Sequence, residues 1–222
     1  SRDAHDVGAF ALVVKRECAF FACRGHQGDG REYEVQAVQQ GAVAIVREQG
    51  DQAVDPGVPV LQVPNLGALL GEVAHEWWGS PSEAMTVVAV TGTNGKTTTT
   101  TLLGEMLARS GKKTFVGGNI GNPLADYIAQ GAGAEVVVLE VSSFQLDDAY
   151  EFEPHISILT NITPDHLDRY NYDIKEYARS KFQLLDFTPD TGHFIYCDDN
   201  DLSVEFIEKW KKQKSGMRIL KN

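Results

Sequence analysis

The stretch from Val87 to Lys96 constrains this chain more than any other, because an apolar run ends there in a glycine-containing turn. Residues 87–90 read Val-Val-Ala-Val, and residues 91–95 read Thr-Gly-Thr-Asn-Gly. Apolar residues then recur at the spacing of one helix face, at Leu102, Leu103, Met106 and Leu107. The order of strand, glycine turn and helix predicts a phosphate-binding loop, in which backbone N–H groups and the positive end of a helix surround phosphate oxygens.

The ending Gly-Lys-Thr of this loop predicts two roles. A lysine in that position reaches the β- and γ-phosphates of a nucleotide, and the hydroxyl after it binds Mg²⁺. The predicted cofactor-binding residues are Gly92, Thr93, Asn94, Gly95, Lys96, Thr97 and Thr98. The usual motif has a further glycine where this chain has Val90, so an ordinary polar turn between a strand and a helix is the alternative.

Composition limits the classes of partner. The 222 residues carry a net charge of −11 without a basic run, which argues against a nucleic-acid partner or an anionic membrane surface. No apolar run is long enough to insert into a membrane, and charged residues precede any apolar segment at the start, unlike in a signal peptide. Cys18, Cys23 and Cys197 lack metal-ligand spacing and fit reduced thiols, so a cytoplasmic location is expected.

Two α/β units are predicted, residues 1–83 and residues 84–222, joined by the linker Gly79-Ser80-Pro81-Ser82. In the first unit, strands are predicted at 18–23, 42–46 and 58–63, and a helix at 32–40. A second helix is predicted to start at Asn65 and to bury Leu66, Leu69, Leu70, Val73 and Trp77 in the core.

In the second unit, strands alternate with helices, which predicts a mostly parallel sheet with helices on both faces. The strands are predicted at 86–90, 113–116, 135–139, 156–161 and 193–197. Ligands bind at the C-terminal ends of strands in such sheets. Four polar clusters follow strands and should therefore meet at one edge: the phosphate loop and residues 117–121, 140–143 and 163–166.

Glu140 and His166 are candidate metal ligands within these clusters. Glu140 ends the buried run Val136-Val137-Val138-Leu139, and a carboxylate at the tip of a strand beside a phosphate loop suits Mg²⁺. A solvated acid at a strand end is the alternative. His166 is either a metal ligand or a loop histidine paired with Asp165 or Asp168, and the spacing does not choose between them.

Lys181 is predicted to lie on the buried face of a helix that starts at Asp173. The apolar stripe of this helix comprises Ile174, Tyr177, Ala178, Lys181, Phe182 and Leu185. A buried lysine extends its ammonium to the surface, pairs with an acid, or is chemically changed. Carbamylation by CO₂ would convert this cation into a carboxylate that binds metal.

These motifs together resemble the Mur ligases of peptidoglycan synthesis. Residues 91–98 resemble that family's own phosphate loop, which lacks the first glycine. Residues 85–200 are most similar to the member that adds D-glutamate, through three segments: residues 118–121 (Gly-Asn-Ile-Gly), residues 139–146 (Leu-Glu-Val-Ser-Ser-Phe-Gln-Leu) and residues 165–170 (Asp-His-Leu-Asp-Arg-Tyr).

The resemblance implies an ATP-dependent ligase that joins an amino acid to a UDP-N-acetylmuramoyl substrate through an acyl phosphate. ATP and Mg²⁺ are the implied cofactors. The implied metal ligands are Thr97, Glu140, His166 and a carbamylated Lys181. The implied catalytic residues are Lys96, Lys181, His166 and Asn119. Asn119 matches a residue near the acyl substrate, and Ser142 one beside the metal site, so both are implied substrate-binding residues.

Residues 1–83 resemble a different member, the N-terminal uridine-binding domain of the diaminopimelate- or lysine-adding ligase. The resemblance rests on Ser1-Arg2 and on residues 25–31 (Gly-His-Gln-Gly-Asp-Gly-Arg), and it implies substrate binding by Ser1, His26 and Gln27. A hybrid chain is therefore expected, with the rest of the ATP-binding domain and the C-terminal domain absent. The alternatives are a folded but inactive scaffold, or a related ligase such as folylpolyglutamate synthase.

Overall fold

The computed structural model describes residues 18–24, 29–50, 55–131, 133–149, 151–211 and 218–221. The chain forms two compact units that divide between Ala74 and His75. The domain ranges 1–83 and 84–222 stay predictions. No helix in the described part of the chain has the length and apolar character needed to cross a membrane.

The first unit contains a three-stranded parallel sheet in the order β1-β2-β3, with β1 at Cys18–Ala22, β2 at Ala42–Glu48 and β3 at Val60–Val63. A 3₁₀ helix (Gly30–Tyr33) leads into α1 (Glu34–Gln39), and α2 (Leu66–Trp77) follows β3. A small core forms between β1, β2 and α1, from Phe20, Ala22, Ala37, Ala42 and Ile45.

The predicted burial of α2 is wrong for most of its apolar stripe. Leu66 is buried, but the side chain of Trp77 is 81% exposed and that of Val73 is also exposed. The reason is that the buried cluster of the first unit draws its residues from β1, β2 and α1 and does not extend along α2, whose last three residues lie beyond that unit.

The second unit contains a six-stranded, all-parallel sheet in the order β5-β6-β4-β7-β8-β9. The strands are β4 (Thr86–Thr91), β5 (Thr114–Gly118), β6 (Val136–Glu140), β7 (Ile156–Leu159), β8 (His193–Tyr196) and β9 (Arg218–Lys221). The helices are α3 (Lys96–Arg109), α4 (Leu124–Ala129), α5 (Ser143–Asp147), α6 (Ile174–Phe187) and α7 (Asp201–Lys211), with 3₁₀ turns at Pro81–Ala84 and Leu167–Tyr170. The predicted α/β class and parallel sheet are confirmed.

Alternate residues of β4 face different helices, as the pleat of a strand requires. Val88 and Val90 belong to a cluster that Leu103 and Leu107 of α3 join, whereas Ala89 belongs to the cluster of α5, α6 and α7. Helices therefore cover both faces of the sheet. Leu102 and Met106 were predicted on the apolar side of α3, but they are 58% and 59% exposed, because only a narrow stripe of α3 contacts the sheet.

Candidate active site

The turn between β4 and α3 needs glycine at two positions for two different reasons. Gly92 has φ +141°, and a Cβ there would collide with Thr160 Oγ1 and lie 3.0 Å from the backbone nitrogen of Asn161. Gly95 has φ +79°, and a Cβ there would meet no atom within 4 Å. Gly92 is thus required by close packing against the residues that follow β7, whereas Gly95 is favoured by its positive φ alone.

Side chains after β7 fix the loop from one side. Thr93 Oγ1 accepts a hydrogen bond from Thr163 N (3.0 Å) and donates one to Thr163 O (3.1 Å). Asn94 N donates to Asn161 Oδ1 (2.9 Å), and Asn161 Nδ2 donates to Asn94 O (3.0 Å). The Asn94 side chain donates from Nδ2 to Thr163 Oγ1 (3.2 Å). The Thr93 and Asn94 side chains, predicted to bind a cofactor, therefore contact Thr163 in this structure, and the Asn94 backbone contacts Asn161.

Backbone donors at the start of α3 remain for an anion. Gly95 is the N-cap residue and has no side chain that could accept a hydrogen bond from the first helical turn. The first N–H groups of a helix lack partners within the helix, and its dipole adds positive potential there. The side chains of Thr97 and Thr98 lie exposed on this turn. The geometry fits a phosphate group.

Glu140 lies at the end of β6, next to β4, and receives hydrogen bonds at both carboxylate oxygens. Thr97 Oγ1 donates to Oε2 (2.8 Å), and Asn119 Nδ2 donates to Oε1 (3.1 Å). The residue is only 3% exposed. Because the Thr97 proton points to Glu140, the lone pairs of its oxygen stay available. A hydroxyl and a carboxylate oxygen at this spacing fit a hard cation such as Mg²⁺.

Two lysines bind consecutive carbonyl groups of the loop. Lys96 Nζ donates to Thr93 O (3.1 Å), and Lys181 Nζ donates to Gly92 O (2.9 Å). Lys181 is 2% exposed, as predicted, and its Nζ lies 4.6 Å from the ring centroid of Tyr177. The pKa of Lys181 is lowered from 10.5 to about 7, mainly by burial and also by the positive charge of Lys96, whereas Asp165 and Asp147 act in the opposite direction.

His166 lies in the loop that starts at Thr163, so the contacts of Thr163 bring this loop to the phosphate loop. Its Nε2 is 3.7 Å from Asp165 Oδ2, and its side chain is exposed. The pairing with Asp165 considered from the sequence is therefore present. No group of three or more His, Cys, Asp or Glu side chains that could hold a metal ion occurs among the described residues. A metal-binding role of His166 stays a prediction.

The predicted substrate-binding residues fall into two groups. Asn119 contacts Glu140, and Ser142 is the N-cap residue of α5, where Ser142 N donates to Gln145 Oε1 (2.9 Å). Ser1, His26 and Gln27 lie outside the described residues.

The sequence did not single out two residues that shape the site, Asn161 and Tyr177. Asn161 is predicted as the last residue of a strand, but β7 ends at Leu159, so Asn161 lies in the polar segment that also contains the predicted cluster 163–166. Tyr177 appeared only as a member of a core stripe, and its hydroxyl lies 3.2 Å from Thr93 Oγ1. No pattern in the sequence distinguishes such a hydroxyl from that of an ordinary buried tyrosine.

Comparisons with known families match both units. Residues 90–220 match the model described as Mur ligase middle domain, and residues 5–78 match the model described as Mur ligase family, catalytic domain.

Curated relatives include UDP-N-acetylmuramoylalanine–D-glutamate ligases. The chain is 40% identical over 160 residues to the one from Christiangramia forsetii, covering 69% of this chain and 35% of that protein. It is 48% identical over 136 residues to the one from Desulfotalea psychrophila, covering 61% of this chain and 29% of that protein. The chain thus spans about a third of the length of these relatives.

Solved structures share the fold. The MurF ligase of Thermotoga maritima in complex with ADP superposes with a TM-score of 0.65 at 24% identity, over 93% of this chain and 47% of that one. MurF of Acinetobacter baumannii gives a TM-score of 0.67 at 22% identity, over 92% of this chain and 45% of that one.

Proposed function

This chain belongs to the Mur ligase family. We propose that it binds ATP and Mg²⁺ and acts as part of an ATP-dependent ligase, which joins an amino acid to a UDP-N-acetylmuramoyl substrate. The single observation that carries the proposal is the hydrogen-bonded set of Thr97, Glu140 and Asn119 beside a glycine-lined phosphate loop. D-Glutamate is the proposed amino acid, because the curated relatives are named for its ligation.

Lys96 and the first turn of α3 are proposed to bind the nucleotide phosphates. The Lys96 ammonium donates a hydrogen bond to a neutral carbonyl group of its own loop. A phosphate oxygen, which carries a negative charge, would be a stronger acceptor and could replace this carbonyl. The MurF ligase of Thermotoga maritima, which shares this fold, forms a complex with ADP, and this supports the proposal that the chain binds a nucleotide.

Thr97 and Glu140 are proposed to hold Mg²⁺, with His166 as a further ligand. Both hydrogen bonds to Glu140 fix its carboxylate in place before any ligand binds. When bound, Mg²⁺ would neutralise the negative charge that develops during phosphoryl transfer.

Lys181 is proposed to carry a carbamate. The neutral amine attacks CO₂, an N–C bond forms, and the amine proton passes to water, so that a cation becomes an anion. Among the described residues, its Nζ contacts a carbonyl and the face of an aromatic ring rather than a carboxylate. A carbamate would convert the repulsion between Lys181 and Lys96 into attraction.

The chemistry proposed for the substrate follows from these positions. The muramyl carboxylate attacks the γ-phosphorus of ATP, the bond to the β-phosphate oxygen breaks, and ADP leaves as the acyl phosphate forms. The amino group of the incoming amino acid then attacks the acyl carbon, loses a proton to water and displaces inorganic phosphate. Asn119 and Ser142 are proposed to contact the acyl substrate, and Lys96 to stabilise charge on the transferred phosphoryl group. Ser1, His26 and Gln27 stay predicted contacts for the uridine part. The free thiols of Cys18, Cys23 and Cys197 are compatible with the proposed cytoplasmic location.

Nucleotide binding tests the site directly. We expect Lys96→Ala to weaken the binding of ADP with Mg²⁺ by about 100-fold, since an ion pair with phosphate is lost. Lys112→Ala is the matched control, because this exposed lysine lies just beyond the opposite end of α3. Calorimetric titration of both variants measures the effect. Wild-type affinity in Lys96→Ala would contradict the proposed phosphate site.

Substrate choice is tested by release of inorganic phosphate. UDP-N-acetylmuramoyl-L-alanine with D-glutamate is one substrate pair, and the D-glutamyl dipeptide substrate with diaminopimelate is the other. Release with the first pair alone is expected from the relatives. No release with either pair, in a chain that binds ADP, would support a folded scaffold without turnover.

A further inference from the structure

We propose that Tyr177 is a positioning residue. Together with Lys181, it fixes the position of the phosphate loop relative to α6. The inference rests on the proposed function, because it gives Tyr177 a part in nucleotide binding that acts through Thr93. Tyr177 itself is buried and reaches the loop only at its hydroxyl group.

Tyr177 and Lys181 are four residues apart on α6 and therefore share one face of the helix. The hydroxyl of Tyr177 lies 3.2 Å from Thr93 Oγ1, and Lys181 Nζ lies 2.9 Å from Gly92 O. Two successive turns of α6 thus contact two successive residues of the loop. Because α6 forms hydrogen bonds with two adjacent loop residues, it fixes both the position and the orientation of the loop backbone.

The direction of the hydrogen bond follows from the protons available. Thr93 Oγ1 has one proton, which it donates to Thr163 O (3.1 Å), and it already accepts the N–H of Thr163 (3.0 Å). Tyr177 must therefore be the donor. The Thr93 oxygen joins three elements at one point: the phosphate loop, the segment after β7, and α6.

The ring of Tyr177 has a second effect on Lys181. Its centroid lies 4.6 Å from Nζ, so the ring covers one side of the amino group and excludes water from it. The amino group is left facing Gly92 O. One side chain therefore constrains the loop through its hydroxyl and Lys181 through its ring.

Tyr177→Phe removes the hydroxyl and keeps the ring, and the chain offers a matched control in Tyr170→Phe. The two rings lie 5.3 Å apart in the same core cluster. The Tyr170 hydroxyl donates to Asp147 Oδ2 (2.9 Å) and lies 3.3 Å from Ser180 Oγ, and neither partner belongs to the phosphate loop. Tyr170→Phe thus loses hydroxyl contacts with Asp147 and Ser180, whereas Tyr177→Phe loses the contact with Thr93 of the loop.

Two measurements, ADP affinity and amide hydrogen exchange, distinguish a residue that positions the loop from one that only stabilises the fold. We expect Tyr177→Phe to weaken ADP binding with Mg²⁺ about fivefold, the effect of one hydrogen bond, and to accelerate hydrogen exchange of the Thr93 amide. Tyr170→Phe should leave both unchanged, although it should lower the melting temperature at least as much as Tyr177→Phe does. Equal behaviour of the two variants in affinity and exchange would overturn the inference.

The outcomes also distinguish this inference from the proposed function. If the wild-type chain does not bind ADP, the proposed function fails, and the exchange rate of the Thr93 amide still tests the anchoring by Tyr177. If Tyr177→Phe does not fold, Thr93→Val removes the acceptor of the same bond together with the two bonds to Thr163, and Thr93→Ser retains all three. Weakened ADP binding in Thr93→Val, together with faster exchange of the Tyr177 hydroxyl proton, would support the inference, and equal ADP binding in both variants would overturn it.

Discussion

Replacement of Lys181 by methionine should change how the stability of this protein depends on pH. Burial lowers the pKa of this amine from 10.5 to about 7 in the folded protein. Below pH 7 both the folded and the unfolded chain carry the proton. Between pH 7 and 10.5 only the unfolded chain carries it, so the free energy of unfolding rises with pH across this interval. Methionine has a similar length and no proton to release, so Lys181→Met lacks this rise.

The magnitude follows from the pKa difference. Each pH unit inside the interval is worth at most about 1.4 kcal/mol, so the wild type should gain up to roughly 3 kcal/mol relative to Lys181→Met between pH 7 and 9.5. Loss of the hydrogen bond to Gly92 O adds an offset of about 1 kcal/mol that is independent of pH in first approximation. At pH 6.5, where the wild type contains a buried ammonium, the two proteins should be closest in stability or the variant should be the more stable.

Urea unfolding at pH 6.5, 8 and 9.5 measures the effect, in buffers free of CO₂ because carbamylation would consume the neutral amine. Lys112→Met serves as the control, since this exposed lysine should show the same pH dependence as the wild type. A difference between wild type and Lys181→Met that stays constant with pH would mean that Lys181 keeps its ordinary pKa, and it would refute the reasoning.

Two further substitutions test the packing of the loop and of the first unit. Gly92→Ala should lower the free energy of unfolding by about 2–4 kcal/mol and weaken ADP binding, because φ +141° disfavours any side chain and the new Cβ collides with Thr160. Gly71→Ala, at an exposed helical position, is its control. Equal stability of the two variants would contradict the prediction. Arg47→Met should lower the free energy of unfolding by about 3–5 kcal/mol at pH 7, because Arg47 Nη2 lies 2.6 Å from the buried Glu34 carboxylate and this ion pair is lost. Part of this stability should be recovered at pH 4–5, where Glu34 is protonated. Urea unfolding measures both, and an Arg47→Met protein as stable as the wild type at pH 7 would show that the buried pair is dispensable.

The parallel sheet of the second unit was predictable because its strands are short apolar runs that end in polar turns. Val136–Glu140 and the run before Gly92 read as buried strands without ambiguity. Parallel strands place their C-terminal ends at one edge, so the convergence of the polar clusters that contain Thr97, Asn119 and Glu140 was predictable. The hydrogen bonds of Thr97 and Asn119 to Glu140 required the fold.

The errors share a physical cause. Helical periodicity identified the apolar stripe of α2 and the apolar side of α3, but it does not show how much neighbouring structure is present to cover them. Trp77, Leu102 and Met106 are consequently exposed despite their spacing. The same periodicity succeeded for α6, where Lys181 and Tyr177 are buried, because helices and sheet surround that stripe.

The sequence does not show which atoms of the phosphate loop hold the loop in place and which are available to a ligand. Thr93 and Asn94 belong to a motif predicted to bind nucleotide, yet their side chains contact Thr163, and the Asn94 backbone pairs with the Asn161 side chain. Such pairings join residues about 70 positions apart, and only the fold brings them together.

The central claim is that Lys96, Thr97 and Glu140 form one site for a nucleotide phosphate and its divalent cation. A crystal structure of the chain with ADP and Mn²⁺ tests it most directly, because the anomalous signal of manganese locates the metal independently of the nucleotide. The account predicts a single strong peak beside Thr97 Oγ1 and the Glu140 carboxylate, with Lys96 Nζ on a phosphate oxygen. A manganese peak elsewhere, or a nucleotide bound away from this loop, would contradict it.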